Sequence, residues 1–220
     1  IATAGIAAIS TENIAAFTTR QIAALASDQL QALTTSQIRA LATAQLSGLA
    51  TDDLNGLSSA QIKSLSTEQL VSLTTKQISA LESEDLAALS TDQIVVLTTA
   101  QIAALDSADF AALSSAQVAS LTAAQLRAIE TVDLAAMTTA GLVTIAASSI
   151  NGFSTGQLAA LGSEQWAALS TEQINNLTTA QIAAITTEDL TALTTTQLRA
   201  LSDAQLVALT TRQWAALDSS

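Results

Sequence analysis

The sequence predicts an all-α protein, a solenoid built from very short capped helices, one for every eight residues. Three observations predict it. An octad of the type Leu-Thr-Thr-Ala-Gln-Ile-Ala-Ala recurs 27 times over residues 2–217 without insertion or deletion. Two of its slots, the fifth (Ile6 to Trp214) and the eighth (Ile9 to Leu217), hold a large apolar residue in every copy. The first slot is Ser or Thr in 18 of 27 copies and the fourth is Gln in 18 of 27, which is the spacing of a helix capping box.

Other readings of the period fail on geometry. In one continuous helix of about 3.6 residues per turn, eight residues leave about 80° of net rotation. The apolar stripe would then circle the helix, and no fixed partner could cover it. As a strand, apolar residues five apart would fall on opposite faces, and Ala and Gln are poor strand formers. With seven Gly and no Asp-Gly turn in the chain, a Gly-rich calcium-binding β-roll is also disfavoured.

A short helix with its own start signal accounts for each slot. In Ser170-Thr171-Glu172-Gln173-Ile174, Ser170 caps the amide three residues on, Gln173 reaches back, and Leu169 with Ile174 forms a hydrophobic staple. The second slot is Ser or Thr in 24 of 27 octads, so it competes for the cap; the first slot is preferred because only it has the box and staple spacing. Where Ala26 or Ala42 stands first, the second hydroxyl is expected to take over. The small seventh slot allows a neighbouring backbone to come close.

Such helices are too short to persist alone, because isolated helices below about 12 residues are marginal. Their stability must come from stacking, at about 1.5 to 3 kcal/mol for each large side chain buried. The sixth slot of every third octad is mostly polar (Ala7, Gln31, Asn55, Ser79, Ala103, Arg127, Asn151, Asn175, Arg199), and the acidic pairs repeat at the same interval. This predicts three octads per coil, two being the alternative, and a rod on the order of 80 Å at about 8 to 10 Å per coil. Residues 1–220 read as one continuous array that opens and closes in mid-repeat, and so as a segment of a longer protein. The stretch 138–153, where Gly141 and Ser149 replace Gln and Ala146 replaces the cap, is the irregular part.

Composition narrows the function classes. A net charge of −12 disfavours nucleic acid and anionic membrane as partners. Without Cys or His, thiolate nucleophiles, zinc clusters and the commonest general base are excluded. Mean hydropathy is positive, yet Ser, Thr and Gln interrupt every octad, so no run reaches the roughly 18 apolar residues of a membrane span. No enzyme, no cofactor and no membrane insertion are expected.

Three acidic pairs, Glu82 with Asp85, Asp106 with Asp109 and Glu130 with Asp133, are the metal-site candidate, since carboxylates stacked along one edge suit calcium. Capping is the preferred reading, because an acid in the first helical turn is favoured by the macrodipole. Rows of Thr and Ser suggest a hydroxyl lattice able to bind ice or mineral, against which stands their capping role. Phe17, Phe110, Met137, Phe153, Trp166 and Trp214 all occupy core slots. Arg39, Lys63, Arg127 and Arg199, in the sixth slot, are expected to face solvent.

Octads such as Leu97–Ala104 and Leu177–Ala184 resemble arrays in very large secreted or surface proteins of proteobacteria, over the entire chain. The resemblance implies a stalk or spacer outside the cell. Leu65-Ser66-Thr67-Glu68-Gln69 is also similar to the helix start of TAL-effector DNA-binding repeats, but the octad lacks that family's second helix and base-reading loop. The expected role is a structural, non-enzymatic spacer of a bacterial extracellular or surface protein. Its alternatives are a protein-binding scaffold and the ice- or mineral-binding lattice. Self-association through solenoid ends is the expected mode of assembly.

Overall fold

The computed structural model describes residues 2–218, and every regular element among them is helical. Each octad forms one helix, giving 26 α-helices of four to eight residues and one 3-10 helix over Ala147–Gly152. The starts follow from the capping chemistry. Before the helix Thr171–Asn175, Ser170 is extended at φ −71° and ψ 157°. The Gln173 N–H donates to its hydroxyl at 3.1 Å, and the Ser170 N–H donates to Gln173 Oε1 at 2.8 Å. The first slot is thus the cap.

The expected takeover by the second hydroxyl is corrected. Where the first slot is Ala, the helices still begin at Ser27 and Thr43, with Ala26 and Ala42 extended and lacking a side-chain cap. Only the glutamine half of the box remains, the Ala26 and Ala42 N–H groups donating to Gln29 and Gln45 Oε1 at 2.9 and 2.5 Å. Helix phase is held by the two large side chains that must point inward, so losing one hydroxyl cannot shift it.

The ends need no special residue. In the helix Thr67–Ser72 the chain leaves through Leu73, extended at φ −65° and ψ 141°. The Leu73 N–H donates to the Leu70 carbonyl at 3.2 Å. No described residue has a positive φ, so these helices stop without the left-handed Gly that commonly ends a helix. Two consecutive extended residues, the eighth slot and the next cap, turn the chain into the following octad.

The chain forms two compact units, Ile1–Ala112 and Leu113–Ser220. In the first, Thr11–Ala15 packs on Thr35–Ala40, that helix on Ser59–Lys63, that on Ser83–Ala88, and that on Ser107–Ala112. In the second, Ser115–Ser120, Thr139–Leu142, Ser163–Ala168, Thr187–Ala192 and Thr211–Asp218 pack in succession. Every step of either series advances the chain by three octads. Fifth-slot side chains such as Ile38, Leu70 and Ile102 are fully buried, and eighth-slot Leu41, Leu73 and Leu105 nearly so.

Burial of the expected core fillers is uneven. Phe110, Met137, Phe153 and Trp166 are buried, whereas Phe17 is half-buried and Trp214 is 48% exposed. Ile9 and Leu25 share the position of Phe17, as Leu198 and Leu206 share that of Trp214. Trp166 carries a cost of its own, since its buried indole N–H has no partner.

Candidate functional site

The polar group with the most developed geometry is the fourth-slot glutamine, and it recurs in both units. Gln101 is buried. Its Oε1 accepts the Thr98 N–H at 2.9 Å, closing the box. Its Nε2 donates to the carbonyls of Leu70 at 2.8 Å and Leu73 at 2.9 Å, residues 31 and 28 positions earlier. Gln173 does the same with Leu142 and Ile145 at 2.9 and 2.8 Å, and Gln205 with Ile174 and Leu177 at 2.9 and 2.7 Å.

These carbonyls lie at the end of a helix: that of Leu73 has no backbone donor, as expected beyond a last turn, while that of Leu70 already accepts the Leu73 N–H and gains a second donor. One amide therefore starts its own helix and closes a helix four octads earlier. Acceptor and donor ends are both used, which only one orientation of the amide permits. A buried amide satisfied in this way stabilises modestly, at about 0.5 to 1.5 kcal/mol per bond, but losing it strands its partners at about 1 to 3 kcal/mol each.

The second job of the glutamine was missed by reading the box alone. The signal was present: Gln29, Gln45 and Gln165 persist where the first slot is Ala26, Ala42 or Gly162, so the glutamine is kept without its hydroxyl partner.

The acidic candidates divide. Asp106 and Asp109 form a carboxylate version of the box, with the Asp109 N–H donating to Asp106 Oδ1 and the Asp106 N–H to Asp109 Oδ2, both at 3.0 Å. Glu82 and Glu130 stand at caps but make no side-chain cap bond; one methylene longer than Asp, they carry the carboxylate past the amide. Asp85 and Asp133 are buried in the fourth slot. Among the described residues no three acidic side chains come together as metal ligands.

The hydroxyls also divide. First-slot hydroxyls are taken by capping, as at Thr34 and Thr98, each accepting an N–H at 3.2 Å. Second-slot Thr19, Thr43 and Thr91 are exposed, and among the described residues their hydroxyls make no hydrogen bond. The sixth-slot cations Arg39, Lys63, Arg127 and Arg199 are exposed, as expected. A surface groove of about 670 Å³ runs past Met137, Thr139, Gly162, Glu164 and Gln165, with a single ionisable side chain in its lining. No described helix is long and apolar enough to cross a membrane.

The geometry explains a sequence comparison. A model of the ALTTAQ repeat matches the chain over residues 22–52, 47–83, 78–108, 102–129, 126–168, 150–179 and 182–219. The chain belongs to the ALTTAQ repeat family. The six letters of the ALTTAQ repeat span slots seven, eight, one, two, three and four, as in Ala192–Gln197. They name the small contact residue, the core residue, the cap and the latch glutamine. The family signature is thus the junction where one helix ends and the next begins. A search of curated proteins returned no match.

Proposed function

We propose that the chain is a non-enzymatic structural spacer, each unit being a solenoid with three octads per coil. The observation that carries this reading is the single packing interval: in both units the helices that pack on one another lie three octads apart. The latch glutamine recurs with the same carbonyl partners. One interface used repeatedly makes length adjustable by whole coils, which is what a spacer requires. Placement outside the cell, on a bacterial surface, belongs to the same proposal and rests on the resemblance of the octads to arrays in large secreted proteins. A protein-binding scaffold remains the runner-up.

Deletions test the coil. Removing residues 58–81 takes out three octads, whereas removing 58–65 or 58–73 takes out one or two. The first should keep a cooperative thermal transition near that of the parent, and the other two should lower it. Equal behaviour of the three deletions would overturn the coil.

A second reading is favoured by one observation, the free hydroxyls of the second slot. Thr19, Thr43, Thr67 and Thr91 follow one another at three-octad steps in the first unit, a spacing suited to a flat ice- or mineral-binding lattice. Ice growth and crystal shape in the presence of the purified chain test it, against a variant with Ala at those four positions. Unchanged ice growth with the parent removes the reading.

A further inference from the structure

Five octads carry Asp in the fourth slot, and a carboxylate cannot act as the latch glutamine does. It has no N–H to offer the carbonyls of the earlier helix, and it is a methylene shorter. The structure shows what replaces the contact. The hydroxyl of Ser27 donates to Asp53 Oδ1 at 2.8 Å, that of Ser83 to Asp109 Oδ1 at 2.8 Å, and that of Ser163 to Asp189 Oδ1 at 2.9 Å. In each case the serine occupies the second slot and lies 26 positions before the aspartate. Donor and acceptor have exchanged sides of the packed pair.

This exchange is written into the whole array. Serine stands in the second slot at 27, 59, 83, 107, 115 and 163, and the residues 26 positions later are Asp53, Asp85, Asp109, Asp133, Gly141 and Asp189. Threonine stands there at 16 positions that have a residue 26 further on, from Thr3 to Thr187, and all 16 of those residues are Gln. The rule does not hold two octads closer: ten residues after the same six serines the residue is Gln every time. Ser59 and Asp85 keep the interval without forming the bond. Where Gly141 supplies no side chain, the Ser115 hydroxyl donates to the Ala140 carbonyl at 3.4 Å instead.

A physical reason separates Thr from Ser. The Thr19 methyl lies against Gly48, a seventh-slot residue of the third octad on, so closely that a side chain there would meet it. With that contact and the stiffness of a β-branched side chain, the Thr19 side chain is exposed and, among the described residues, its hydroxyl makes no hydrogen bond. Serine has no methyl to accommodate, and its hydroxyl is free to turn to the carboxylate. With glutamine opposite, no donor is required and the methyl is worth keeping.

We infer that the second slot of one octad and the fourth slot of the third octad after it form a register-determining pair with two allowed states, Thr with Gln and Ser with Asp. The inference rests on the three-octad coil proposed above and adds what specifies it. An octad accepts as its neighbour one whose fourth slot matches its second. A stack displaced by one octad in either direction would set Thr against Asp53, Asp85, Asp109 and Asp189, leaving those carboxylates without their donors.

The test is a pair of mutant cycles in the full chain, read by chemical denaturation. Gln101→Asp should shift the unfolding equilibrium by about tenfold or more, since it strands the Leu73 carbonyl and places a carboxylate against it. Thr75→Ser alone should change it by less than about threefold, and in the Gln101→Asp background should recover about tenfold or more, the worth of a hydrogen bond to a charged group. Should Gln101→Asp not fold, the milder cycle serves: Ser163→Thr should destabilise the parent and leave Asp189→Gln unaffected. Equal effects of the second-slot change in both backgrounds would overturn the pairing rule.

A third variant separates this inference from the coil itself. Deleting residues 58–81 brings Asp85 into the place opposite Thr35 that Gln61 holds in the parent. Thr35→Ser should therefore stabilise the deletion variant and not the parent. A tolerated deletion that ignores Thr35→Ser, with null cycles, sinks the pairing rule alone. A deletion no better tolerated than the loss of one octad sinks the coil.

Discussion

The octads of residues 162–177 and those of residues 138–153, both in the second unit, hold their cores in the same way and their helices differently. In the first pair Trp166 and Ile174 are fully buried, and Gln165 and Gln173 are buried with them. In the second pair Leu142, Ile145, Ile150 and Phe153 are buried to the same degree, yet Gly141 and Ser149 stand where the glutamines should. Thr138 still accepts the Gly141 N–H at 3.1 Å, and a four-residue helix survives. With neither cap nor glutamine, Ala147–Gly152 becomes a 3-10 helix.

The difference assigns separate roles to the slots. Large apolar residues place an octad in the stack, and loss of the cap and the glutamine does not by itself end the α-helix, since Thr51–Asn55 follows Ala50 without a side-chain cap and carries Asp53 in the fourth slot. The irregular pair is not abandoned by its neighbours, because Gln173 donates to Leu142 and Ile145 and Gln181 to Phe153 at 2.7 Å. Its tighter winding has a steric counterpart at Gly152. A Cβ there would lie 2.8 to 2.9 Å from the backbone and side chain of Ala123, so the seventh slot admits only glycine at this point.

Four measurements would break or sharpen this contrast. The largest effect is expected at the latch. Gln173→Ala removes the donor of the Ile145 carbonyl, a second donor of the Leu142 carbonyl and the acceptor of the Ser170 N–H, and should cost about 2 to 4 kcal/mol in denaturant unfolding. Gln21→Ala, where only the box bonds to Thr18 are made, should cost about 1 kcal/mol or less. Similar losses at the two sites would mean that the carbonyl contacts contribute nothing. Gly152→Ala comes next, at about 1 to 3 kcal/mol for overpacking against backbone; a neutral result would show that the two octads can move apart.

Repair of the irregular pair should have a smaller effect of opposite sign. Ala146→Ser with Ser149→Gln restores both halves of the box and should add about 1 kcal/mol, with a gain in helical circular dichroism. No gain in that signal would show that Gly152, not the missing box, holds the 3-10 winding. Smallest is the contrast between adjacent threonines. Thr34→Ala removes a cap and should cost about 1 kcal/mol, whereas Thr35→Ala, exposed and unbonded, should stay within about 0.5 kcal/mol. Equal costs in a thermal melt would return the cap to the second slot.

Much of this was legible beforehand, because a capping box is local: Ser170 and Gln173 announce their bond by spacing alone. The fifth and eighth slots announced the core in the same way. The half-exposure of Phe17 and Trp214 was not legible from slot identity, since burial depends on which distant octads pack over the side chain. Nor was the failure of Glu82 and Glu130 to cap, which turns on one methylene of reach.

What the sequence determined by itself is the set of helix starts, the inward pair of apolar residues and the fixed period, all consequences of bonds and contacts spanning fewer than eight residues. Only the tertiary structure decided where the second half of each glutamine goes and why serine displaces threonine before an aspartate. Those contacts join residues 26 to 31 positions apart, and which distant octad lies opposite is set by packing. The pairing was present in the letters, but the interval at which to look for it came from the stacked helices.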